Sequence, residues 1–168
     1  MWSMSNAPSH IELIGGHTPE HLADVRTLFR EYADEIDVDL CFQGFERELA
    51  ELPGGYAPAA GRLLLVRSDE QLAACAGLRP LDQSTCEMKR LYVRPAFRGH
   101  GLGRRLATAV IEAAREIGYE RVRLDTLAPM TVAIALDRSL GFTDAEPYRH
   151  NPLIGATFME LDLRHKRQ

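Results

Sequence analysis

The stretch VRPAFRGHGLGRRLA, Val93 to Ala107, decides how the rest of the chain is read. A strand-like run enters it and meets Arg94-Pro95, where proline has no N–H for a ladder and holds its predecessor extended. Gly99, Gly101 and Gly103 follow at alternate positions, so the backbone turns without a Cβ in the way. A helix is expected from about Gly101, and its first N–H groups have no partner inside the helix. Those amides and the positive end of the helix dipole favour an anion, and Arg98, Arg104 and Arg105 add charge nearby. The stretch therefore reads as a phosphate cradle rather than a plain turn.

Two familiar cradles do not fit. The magnesium-nucleotide pattern GxxxxGK[ST] needs a Gly-Lys pair, which this stretch lacks. The dinucleotide pattern GxGxxG fails because its third glycine would fall at Arg104 or Leu106.

Outward from the cradle, apolar spacing lays out one domain. His10 to Ile14 alternates as a first strand, and Thr18-Pro19-Glu20 opens a helix running to about Ile36. FERELAEL suggests a second short helix, followed by a Pro/Gly/Ala-rich loop through Gly61. RLLLVR, QLAACAGLR and CEMKRLYVR read as strands, the first two joined by a tight turn at Ser68-Asp69-Glu70. Leu102, Leu106, Ala109, Val110, Ala113 and Ile117 line one face of a long helix that Gly118 ends. RVRLDT is a further strand, VAIALDRSLGF a helix closed by Gly141, and FMELDL a last strand. The expected fold is α+β, with a central mixed sheet whose N-terminal half is antiparallel. Residues 1–9 read as a disordered tail and 10–168 as a single domain.

At 168 residues, with 45% apolar and 26% charged residues, the chain has ordinary globular composition. A formal charge of −4 argues against general nucleic-acid binding. There is neither a long apolar run nor a secretory leader pattern, so no membrane partner is expected. Cys41, Cys75 and Cys86 form no CxxC pair, which predicts no metal site, a reducing cytoplasm, and cysteines that are small buried groups.

Arg98-Gly99-His100-Gly101-Leu102-Gly103, in this setting, resembles the acetyl-coenzyme A signature of the GNAT superfamily of N-acetyltransferases. LDTLAPMTVAIALDRSLGF resembles that family's second cofactor motif, and the likeness covers about residues 10 to 163. The resemblance implies helices on both faces of the sheet and two parallel strands that splay to leave a coenzyme A cleft. It implies that acetyl-CoA lies along backbone groups of Leu91, Tyr92 and Val93. The pyrophosphate would then rest on the amides of Arg98, Gly99, His100, Gly101, Leu102, Gly103 and Arg104. A homodimer is compatible with it.

Members of this family transfer acetyl directly to an amine, which calls for a base and for a proton donor to the departing thiolate. A lysine-like amine is neutral about one time in two thousand at pH 7, so a base matters. Glu87, on the strand entering the loop, resembles the glutamate that serves some members. Strict alternation would put Glu87, Lys89, Leu91 and Val93 on one face and Met88, Arg90 and Tyr92 on the other. Many members carry a tyrosine five residues before the Phe of Leu-Gly-Phe, where this chain has Asp137. An ionised aspartate would repel the thiolate, so Asp137 is expected either to carry a proton or, more in keeping with an aspartate, to face solvent, with Tyr148 as substitute donor. Met130 stands where the motif often has asparagine, and His100 and His150 are not expected to do chemistry.

The sequence thus predicts an acetyl-CoA-dependent N-acetyltransferase acting on a primary amine of a small molecule or peptide. Two alternatives stay open: an acyl-CoA sensor of the same fold without turnover, and a nucleotide-phosphate enzyme using the same cradle. The acidic run Glu31, Asp34, Glu35, Asp37 and Asp39 reads either as an attractor for a cationic amine or as a solvated face.

Overall fold

A computed structural model describes residues 10–36, 40, 44–127, 130–151, 153 and 155–164. The tail 1–9, Asp37, Asp39 and Cys41 lie outside the described residues. The elements run β1 (Ile11–Gly15), α1 (Pro19–Ile36), α2 (Phe45–Glu51), β2 (Arg62–Ser68), β3 (Gln71–Pro80) and β4 (Thr85–Val93). They continue with α3 (Leu102–Ile117), β5 (Arg121–Leu127), α4 (Thr131–Ser139), β6 (Thr143–Ala145) and β7 (Ala156–Asp162). The strands form one sheet in the order β1-β2-β3-β4-β5-β7-β6, mixed as expected, with β4 and β5 the parallel pair. No helix among the described residues is long and apolar enough to cross a membrane.

Local chemistry explains the antiparallel half. Asp69 and Glu70 both have positive φ, 48° and 69°, and join Ser68 to Gln71 as a two-residue turn whose twist matches its strands. Asp82 closes the next hairpin by accepting from the backbone N–H groups of Ser84 and Thr85, each at 2.8 Å. The two sheet faces are covered separately. Leu102, Leu106 and Val110 of α3 pack with Val66, Ala76, Leu78 and Met88 on one side. Val25, Leu28 and Phe29 of α1 pack with Leu49, Tyr56, Leu63, Leu65 and Tyr92 on the other.

The strict alternation expected for β4 does not hold. Cys75 of β3 faces Tyr92 and Gly77 faces Lys89, so three steps on β4 match two on β3. The extra residue is a bulge at Arg90, whose φ is +59°. It moves Leu91 and Val93 to the α3 side with Met88, while Tyr92 goes to the α1 side, where Arg90 stacks over Tyr32 and Phe45. A bulge is a backbone event that a side-chain period of two cannot announce.

Gly77, beside the bulge, leaves room for the buried Tyr56 ring: a Cβ there would stand 2.6 Å from a ring carbon. Gly77→Ala is therefore expected to cost about 1–3 kcal/mol through overpacking, read as a lower urea midpoint with unchanged slope.

Candidate active site

Parallel pairing between β4 and β5 lasts only from Thr85↔Arg121 to Glu87↔Arg123. Beyond it the strands diverge, and the β5-facing edge of β4 loses its pairing partner over Met88 to Val93. The gap opens into a cleft of about 1010 Å³, lined by Leu91, Tyr92, Val93, Gly99, Gly101 and Gly103 among others. At its outer end stands the N-terminus of α3. Gly101 caps that helix at φ 77°, with no side-chain hydrogen bond to its first amides, and Gly99 sits at φ 85°. A non-glycine residue is strained at both positions. Gly103 differs: its φ is not left-handed, and a Cβ on it would meet Leu136 of α4 at 3.5 Å, an ordinary contact, so the fold does not demand glycine there. Leu102 is buried in the core, and His100 is exposed.

Arg98 and Arg104 both line the cleft, and each also has partners within the protein. Arg98 donates to both carboxylate oxygens of Glu35 at 2.6 Å and to the Val93 carbonyl at 2.9 Å, and lies over the Tyr92 ring. Arg104 donates to Ser139 Oγ at 2.7 Å. Both guanidinium groups bond within the protein, leaving main-chain amides as the cradle. Glu31 likewise holds Arg94 at 2.7 Å, so part of the acidic run binds its own chain.

At its inner end the cleft shares Tyr32, Ile36, Leu91, Leu127, Met130, Ala133, Leu136 and Leu153 with a smaller cavity of about 80 Å³. Lys89, Arg90, Asp125, Asp137 and Asn151 also face this inner space. Glu87 and Tyr148, 61 positions apart, meet beside it: the Tyr148 hydroxyl donates to Glu87 Oε2 at 2.5 Å. Glu87 is sealed, at 0% exposure. Arg149 donates to the same oxygen, Arg79 donates to Oε1 at 3.0 Å, and Lys89 Nζ lies 3.8 Å from Oε1. Arg79 also reaches Glu48, which Arg90 binds through two nitrogens. The result is a buried ionic chain, Arg90–Glu48–Arg79–Glu87–Arg149, across the α2 side of the sheet.

This chain sets the protonation states. Burial alone would raise the Glu87 carboxyl, but Lys89, Arg149, Arg79 and the Tyr148 hydroxyl outweigh it and hold it below the usual range. Burial brings the Lys89 ammonium down to about 8 against the pull of Glu87. Burial and the Glu87 charge push the Tyr148 phenol far up, so its proton is held firmly. Arg79, Arg149, Lys89 and Glu48 were not foreseen. The Arg79↔Glu87 pairing follows from the β3–β4 register, but Arg149 arrives from the loop after β6, with no local signal.

Asp137 does not face solvent. It is 7% exposed, lines the inner cavity, and no hydrogen bond or ion pair to its carboxyl occurs among the described residues. Burial raises it to about 7. Met130, at the start of α4, supplies no side-chain cap to the helix.

The sequence model of the Acetyltransferase (GNAT) family matches residues 22–142. The chain belongs to this family. An uncharacterized N-acetyltransferase of Schizosaccharomyces pombe is 38% identical over 158 residues, covering 93% of this chain and 97% of that one. One from Escherichia coli is 32% identical over 121 residues, covering 70% and 71%. A GNAT-family acetyltransferase of Staphylococcus aureus superposes with a TM-score of 0.77 at 18% identity, covering 92% and 100% of the two chains. That likeness shows the fold. The enzyme is an acyltransferase, and its cosubstrate is acetyl-CoA. The residues present fit that molecule: an unpaired strand edge, amides freed by two left-handed glycines, and a cleft long enough to join them.

Replacing Glu87 tests what the ionic chain does. Glu87→Gln leaves Arg79, Arg149 and Lys89 around a neutral amide, and breaking a buried pair in this way costs about 3–5 kcal/mol. The expected result is a large fall in urea midpoint; a residue with a purely chemical role would leave the midpoint unchanged.

Proposed function

We propose that the enzyme moves acetyl from acetyl-CoA directly to a primary amine of a small molecule or peptide, without an acyl-enzyme. The observation that carries this reading is the splay of β4 from β5 immediately past Glu87↔Arg123, which runs from the glycine cradle to the inner cavity. An unpaired strand edge is satisfied when an amide-bearing chain adds to it as a strand. The pantetheine arm of coenzyme A carries two such amides. Backbone groups of Leu91, Tyr92 and Val93 would bind the arm, and amides from Arg98 to Arg104 the pyrophosphate. A structure of PaiA N-acetyltransferase from Thermoplasma acidophilum was solved in complex with coenzyme A; it shares the fold, with a TM-score of 0.70.

Direct transfer is favoured by the two described cysteines. Cys75 and Cys86 are buried, and burial pushes both thiols up, Cys86 to about 12, so neither is a ready thiolate nucleophile. The inner cavity is the acceptor's end of the site. Lys89, Asp125 and Asn151 offer polar contacts there, and Tyr32, Ile36 and Leu153 offer apolar ones. Glu87, sealed within its cations, does not touch the acceptor; it holds Lys89, which faces the inner cavity.

Coenzyme A is expected to raise the melting temperature, by an amount that grows with its concentration as binding to the folded state requires. ATP and NAD are expected to leave it unchanged, and the reverse pattern would favour a nucleotide enzyme. Thiol release from acetyl-CoA across a panel of small amines and N-terminal peptides then tests transfer. Binding of CoA with no amine turned over would identify a sensor instead.

A further inference from the structure

Transfer to an amine forms a C–N bond, breaks the C–S bond and leaves the electron pair on sulfur, which then needs a proton. The carboxyls, phenols and amine around the inner cavity differ sharply in their ability to supply one. Tyr148 already donates its proton to Glu87 and is bound tightly to that role. Tyr32 is a buried phenol that burial also raises. Asp125 accepts from the Asn151 amide at 3.3 Å. Arg90 is committed to Glu48 on α2. Lys89 lies 3.8 Å from Glu87 and is held in the field of that carboxylate.

Asp137 stands apart. It lines the inner cavity, next in the chain to Leu136, which lines both that cavity and the cleft. Its carboxyl is engaged by no donor among the described residues. The charged groups across the cavity are Lys89 and Arg90 on β4 and Asp125 on β5, with Tyr32 on α1. The Asp137 backbone carbonyl accepts from Leu140 and Phe142, which fixes its place at the end of α4.

We infer that Asp137 is the acid of the reaction: its carboxyl, buried at the inner cavity and without a partner among the described residues, gives its proton to the sulfur as the C–S bond breaks. The acceptor nitrogen loses its own proton to solvent in the same turnover, and Asp137 recovers a proton from solvent after the products leave. The transfer is direct or runs through one water, for which the inner cavity has room. The inference rests on the transferase reading above. Its energetic sense is that a thiol near 8.5 holds a proton more firmly than a carboxyl near 7, so donation runs downhill.

Asp137→Asn keeps size and removes the acid. Binding of coenzyme A, measured by calorimetry, is expected to stay within about twofold. With the amine that the panel identifies, kcat is expected to fall roughly 10²-fold at pH 7, the lower end of general-acid effects. In the natural protein kcat should decline as pH rises through about 7, because the acid form is lost, and this limb should vanish in Asp137→Asn. A second readout needs no turnover. Between the ordinary aspartate range and about 7 the folded chain holds a proton that the unfolded chain releases, so stability falls as pH rises through that window. The melting temperature of Asp137→Asn should therefore gain on that of the natural protein between about pH 5 and about pH 8. Asp137→Ser serves as a second variant, and retained CoA binding certifies its fold. Unchanged kcat in either folded variant, or an alkaline limb that survives in both, overturns the acid role while leaving the transferase reading intact. Absence of turnover in the natural protein, with CoA bound, overturns both together.

Discussion

The hydrogen bonds that β4 and β5 do not make organise this molecule. Parallel pairing ends at Glu87↔Arg123, and the bulge at Arg90 bends β4 three residues later. A buried backbone edge cannot stay without partners, because each unmet N–H or C=O carries a desolvation cost. The gap is tolerable in a folded protein because it opens to a cleft that solvent or a ligand can enter. The adjoining glycine loop and the α3 N-terminus add more unpaired amides at the outer end. One interruption in one ladder thus creates both the strand-like groove and its anion-binding mouth.

The bulge also decides which side chains face which chemistry. By adding one residue it brings Arg90 and Tyr92 to the α1 side and sends Leu91 and Val93 to α3. Glu87 and Lys89, just before it, remain beside the inner cavity within an ionic chain of alternating sign. Such a chain is stable only when complete, since each buried charge is tolerated through its neighbours. It links β3 and β4 to α2 on one side and to the loop after β6 on the other.

Much of this was legible in the residues. Asp69-Glu70 and Asp82 mark turns, Gly118 marks a helix end, and the alternate glycines after Arg94-Pro95 mark a cradle, because all act through local backbone geometry. The roles of individual side chains were less legible. Arg98 and Arg104 read as phosphate partners by proximity in sequence, but Glu35 and Ser139, from other elements, lie within hydrogen-bond reach. Asp137 read as a solvent-facing residue because aspartate usually is one, and only the packing of α4 shows it buried. Glu87 read as a candidate base, and three cations from β3, β4 and the loop after β6 enclose it.

By itself, then, the sequence determined most of the order of elements, a mixed sheet with an antiparallel N-terminal half, and the glycine cradle, since these follow from turns, periodicity and caps within a few residues. Tertiary structure alone decided where β4 bulges, where it parts from β5, and which charges meet in the inner cavity. Those outcomes depend on contacts between residues as far apart as Glu87 and Arg149, whose burial and field no local spacing encodes.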